Sequence, residues 1–193
     1  MSDTCLTINQ QVTALCKNGQ PGITEVILIN AENFEGATSS DGLNITGITV
    51  STYDPTGGID PPYTSGAGFK FKTHRNSSTA MDEMIISIEN GVAVHKPSVQ
   101  FKISGMTTET ALAFKQLSQA QVAAIVKSTN GNYWLIGWPN FLDMESGMLQ
   151  FGVTETDFAG ADITLSGINS DRIYKIIETE GTFTIEDNIL VTV

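Results

Sequence analysis

Charge is scarce in this chain. Only 16% of its 193 residues are Asp, Glu, Lys or Arg, against roughly 25% in an ordinary globular protein. Basic residues are the rarer sign: 10 Lys and Arg stand against 21 Asp and Glu, a net charge of −11. Nucleic acid held by attraction needs Lys and Arg set against its phosphates, so the balance argues against such a binder. It does not argue against a surface that repels nucleic acid. Cysteine is nearly absent. Cys5 and Cys16 are too few for a disulfide framework and read as reduced thiols. No apolar stretch is long enough for a membrane-spanning helix. The start "MSDTCLTINQQ" lacks the basic and apolar regions of a secretory signal, which predicts synthesis in a cytoplasm. A chain this poor in charge often covers part of its surface with partners. Its 40% apolar content suffices for one core, with no internal repeat and no domain boundary, so residues 1–193 read as a single domain.

Recognisable chemistry is also missing. His74 and His95 sit in separate alternating segments, with no Cys, Asp or Glu at ligand-like spacing, and read as surface histidines. No phosphate-binding glycine loop, nucleophile elbow or zinc motif is present. Asp143 and Glu145 flank "DMESG" and read as solvated turn residues. Asp54 and Asp60 lie in "DPTGGID", whose spacing is not that of a calcium loop. The sequons Asn44–Thr46 and Asn76–Ser78 are short enough to occur by chance. The sequence therefore predicts no catalytic residue, no cofactor and no metal.

What is present is alternation with period two, the mark of half-buried strands. "FKFKTH" sets Phe69, Phe71 and Thr73 against Lys70, Lys72 and His74; "VQFKIS" sets Val99, Phe101 and Ile103 against Gln100, Lys102 and Ser104. "ADITLSG" and "RIYKIIE" read alike, and "TEVILIN" is apolar on both faces, as a strand covered on two sides must be. Asn90-Gly91 and Asn130-Gly131 predict hairpins with type I′ turns. Pro97 should edge or interrupt its strand, having no N–H to give. "TTETALAFKQLSQ" (Thr107–Gln119) predicts one short helix, capped by Thr107 or Thr108 with Glu109 in its first turn, and with Leu112, Phe114 and Leu117 facing the sheet. A second helix through Val126 fits a capping box at Ser118, but a strand there gives "YWLIGW" a partner. Within "YWLIGW", Tyr133, Leu135 and Gly137 should point one way and Trp134, Ile136 and Trp138 the other. A core or subunit contact is the reading for Trp134 and Trp138, with Gly137 at a bulge or close approach. Ala31–Gly42 and Tyr53–Gly68, the latter with three prolines and four glycines, read as long functional loops.

Four pieces in this order carry a resemblance: "CKNGQPGITEVILINAENF", "ISIENGVAVHKPSVQFKISG", the helix followed by "VAAIVKSTNGNYWLIGWPNFLDMESG", and "FGVTETDFAGADITLSGINSDRIYKI". Together they span most of residues 16–177, and the chain resembles the tail tube subunits of tailed bacteriophages, particularly those of Bacteroidota phages and prophages. The resemblance implies a mainly β fold: an antiparallel β-sandwich or barrel with one short helix packed on it. It implies a non-enzymatic virion protein, made in the host cytoplasm and assembled in the tail. Subunits of this kind stack as rings into a conduit for DNA and are similar to the inner tubes of contractile injection machines. The implied partners are other copies, other tail proteins and DNA that passes without specific binding, with no membrane. Tyr53, Asp54, Pro61, Pro62, Tyr63, Lys70, Lys72 and Arg75 are the expected assembly residues. Residues 181–193 extend beyond the usual end, so an adaptor or terminator ring of the same fold is an alternative. A carbohydrate-binding or adhesin sandwich is another, and it requires Trp134 and Trp138, or Tyr53 and Tyr63, exposed together on one face.

Overall fold

Apolar side chains on both faces of "TEVILIN" demand cover on two sides, and the chain supplies it. The computed structural model describes residues 22–39, 41–51, 68–73, 77–87, 89, 91–152, 158–178 and 185. Strand β1 (Ile23–Asn30) lies inside a six-stranded sheet with β3 (Asn44–Ile45), β5 (Gly68–Lys72), β8 (Val122–Ser128), β9 (Tyr133–Ile136) and β12 (Tyr174–Ile176), in the order β3-β12-β9-β8-β1-β5. All its pairings are antiparallel except β12 with β3. Val26 and Leu28 enter one core, Ile27 and Ile29 the other. The first core is closed by a four-stranded sheet of β6 (Thr79–Ser87), β7 (Val92–Ser104), β10 (Asp143–Gln150) and β11 (Gly160–Ser166), ordered β10-β11-β7-β6. Phe101, Val99, Ala161, Ile163 and Leu165 project from it. The second core is closed by Phe34 of β2 (Phe34–Thr38), Ile48 of β4 (Gly47–Val50) and Ile185, which belongs to the C-terminal segment. The protein is thus a mainly β sandwich, with one α-helix element among the described residues.

That helix, α1, runs over Thr108–Leu117, and the Thr107 hydroxyl accepts a hydrogen bond from the Thr110 N–H. Thr107→Ala should cost about 1 kcal/mol in urea denaturation, the usual value of such a cap, while Thr108→Ala should cost less. Leu117 is buried and Phe114 half-buried, with the Phe114 ring over Gly147 of β10. Leu112 is a correction: it is 54% exposed. Residues two apart on a helix lie about 200° around the axis, so Leu112 and Phe114 cannot share a face. The inward stripe is Thr110, Ala113, Phe114 and Leu117.

Other expectations are revised by local geometry. The Asn130-Gly131 hairpin forms, but only Gly131 has a positive φ (81°), and its N–H donates to the Ser128 carbonyl. That is a three-residue turn finished by a left-handed glycine, not a type I′ turn. Pro97 lies inside an unbroken thirteen-residue strand. Its carbonyl accepts from the Gly167 N–H, so its missing N–H faces the side where β11 has ended. The loop expected over Ala31–Gly42 holds a 3₁₀ turn (Ala31–Asn33) and β2, because Phe34 (7% exposed) is needed in the core. "DMESG" is strand, not turn: Asp143–Gln150 pairs with β11 through a bulge between Met144 and Ser146.

Candidate assembly surface

The outer face of the four-stranded sheet is turned away from both cores. Register places Met81 and Glu83 of β6, Lys96 and Ser98 of β7, Thr164 of β11 and Met148 of β10 on it. Lys102 and Asp162 form a cross-strand pair there at 3.1 Å. Among the described residues, no strand pairs with the outer edge of β6 or of β10. Both edges carry exposed apolar side chains: Met81 (59%) and Ile86 (63%) on β6, and Met148 (53%) on β10. A free strand edge with apolar neighbours invites pairing with another chain.

The β6–β7 hairpin extends past the body as an arm. Its core-side face bears Met84 and Ile86, its outer face Ile85, and Val92 lies near its tip; all four are exposed. The base of the arm is pinned by polar contacts. The His95 Nδ1 lies 3.0 Å from Asp82 Oδ2, which also accepts from the Ile173 N–H. His95 is therefore not a free surface histidine. Strand pairing brings Asp82 beside it, a relation invisible in sequence spacing. Buried Asn169 exchanges backbone hydrogen bonds with His95 and accepts the Asn140 N–H on its side chain. Nearby, Tyr174 donates to Asp171; burial first, and then that carboxylate, push the phenol up to about 12. Among the described residues no group of three or more His, Cys, Asp and Glu could hold a metal ion.

On the other face of the six-stranded sheet, Glu25 Oε2 lies 3.4 Å from Lys70 Nζ and 3.6 Å from Lys127 Nζ. The Tyr133 hydroxyl, with Glu25, holds Lys127 above the ordinary lysine value. Lys70 is thus already paired within the subunit, whereas Lys72 is exposed. Tyr53, Asp54, Pro61, Pro62, Tyr63 and Arg75, like Cys5, Cys16, Asp60 and His74, lie outside the described residues.

The aromatic pair separates. Trp134 packs into the core between the two sheets, but Trp138 packs on the opposite side, edge-on to Tyr174 at 6.0 Å. The alternation breaks at Gly137, whose φ is 94° and whose missing Cβ would lie 2.7 Å from Leu142. Half-buried on opposite faces, the two tryptophans form no platform for a sugar. No family model, no curated protein and no solved structure matches the chain. The surface must be read from its own geometry.

Proposed function

We propose that the chain is a structural subunit of a phage tail tube, or of an injection-machine inner tube built alike. The observation that carries this reading is the four-stranded sheet with two uncovered edges. If β6 of one copy pairs with β10 of the next, the four-stranded sheets join into a closed ring and no edge of that sheet is left over. A heterologous contact of this kind closes when its rotation divides a full turn. The outer face then lines a channel. It presents Glu83, Asp143, Glu145 and Asp162 against Lys96 and Lys102, among hydroxyl and amide side chains. Such a wall does not attract phosphate, and a duplex slides along it without sticking. The subunit works by packing, in a virion tail, with other copies and other tail proteins as partners.

The test is electron microscopy and sedimentation of the purified protein. Wild type should form annular particles or tubes. Met81→Lys with Met148→Lys places like charges on both sides of the proposed seam at exposed positions, so rings should vanish while thermal unfolding stays unchanged. A wild type that stays monomeric at high concentration, or rings indifferent to the double substitution, sinks the reading.

A further inference from the structure

Beyond the seam between neighbours, the molecule carries an apolar knob and an apolar hole. The knob is the β6–β7 arm. The hole is a groove of about 520 Å³ under α1, lined by Leu28, Phe71, Ile103, Ala113, Leu117 and Ala120, in the size range of binding clefts. Both sit on one strand. The arm begins at Val92, and Ile103 lines the groove eleven residues further along β7, which is about 36 Å at ~3.3 Å per residue. They cannot meet within one copy.

We propose that the arm of one copy seats in the groove under α1 of a second copy, head to tail. This rests on the tube reading and supplies its stacking contact. Three observations commit the groove to this occupant. The arm is apolar on both faces, so a free copy would leave Met84, Ile85, Ile86 and Val92 in water. Charge is complementary: Glu89 is exposed at the arm tip, while Lys115 is exposed on the last turn of α1, next to Gln116 and Leu117 of the groove. A two-fold contact of arm with arm would instead set Glu89 near Glu89, and like charges suppress the wrong partner. Because knob and hole lie at opposite ends of β7, the contact repeats along one direction and builds a stack.

The experiment uses the full chain with Cys5→Ser and Cys16→Ser, carrying Ile86→Cys, Ala113→Cys or both, treated with a short bismaleimide. A mixture of the two single-cysteine proteins should give a crosslinked dimer, and the double-cysteine protein a ladder of higher species. Crosslinks between two Ile86→Cys copies alone, or none at all, overturn the contact. Met84→Asp added to the Ile86→Cys protein, at an exposed position on the same face of the arm, should cut crosslinked product by roughly tenfold or more, as loss of an interface anchor does. Lys115→Glu and added salt should also weaken it. Crosslinking indifferent to all three changes overturns the proposal. Single rings without the crosslink leave the tube reading standing and remove this contact; a ladder without rings does the reverse.

Discussion

Phe101→Ala is expected to remove roughly 3–5 kcal/mol of folding stability, the range for deleting a buried ring. Phe101 is fully buried in the middle of β7, on the face that meets the six-stranded sheet. It stands opposite Ile163 of β11, and its ring lies 6.2 Å from that of Phe71 on β5. It therefore joins three strands from two sheets, and no neighbour can fold into its place without moving a sheet. A loss of this size is a large share of the ~5–15 kcal/mol that holds a typical domain together. Phe114→Ala, at a half-buried site on α1, should cost less than half as much. Urea denaturation of both variants decides the matter. A Phe101→Ala cost below about 1.5 kcal/mol would mean that the two sheets do not share that core.

Gly160→Ala should be the most damaging single-methyl substitution in the described chain, at roughly 2–4 kcal/mol. Gly160 opens β11 where three strands are in register, facing Ser104 on one side and Gln150 on the other. Its φ is 153°, and a Cβ there would lie 2.0 Å from the Ile103 carbonyl oxygen. That atom is backbone held in the sheet and cannot swing aside as a side chain would. Gly36→Ala is the control: an added Cβ meets nothing within 4 Å and φ is unremarkable. It should leave the melting temperature unchanged or slightly raised, because alanine restricts the unfolded chain. Equal melting temperatures for the two variants would overturn the close approach at Gly160.

Much of the fold was legible because its signals are local. The double-faced strand at Val26–Ile29, the alternation through Val99–Phe101 and Ala161–Leu165, and the Thr107 cap each follow from a few adjacent residues. What escaped depends on pairing between distant segments. Phe34 looked like a loop residue until Ile48 and the second core required it. Asp82 stands beside His95 only because the hairpin register brings it there. Trp138 changed sides through the left-handed backbone at Gly137, which interrupts any count by twos. The assembly surface was the least legible part. "MIISIE" has the composition of a covered strand, and its residues do not say whether a second sheet lies over them. That the body ends and the arm goes on is a property of where the other strands stop.

The covered strand also sets the order in which the chain can fold. Val26 pairs with Val126, one hundred positions later, whereas β6 and β7 follow one another in the chain with Ser87 opposite Val92. A hairpin of that kind closes in about 1–10 μs. Bringing β1 to β8 means closing a loop of about half the chain, and such distant pairings dominate the folding time of β proteins. On a ribosome, β1 emerges early, can pair with β5 on one edge, and lacks its second neighbour until β8 has followed. The arm is therefore complete before the sheet that carries the body, and the strand most protected in the finished subunit is held on one edge only until β8 arrives.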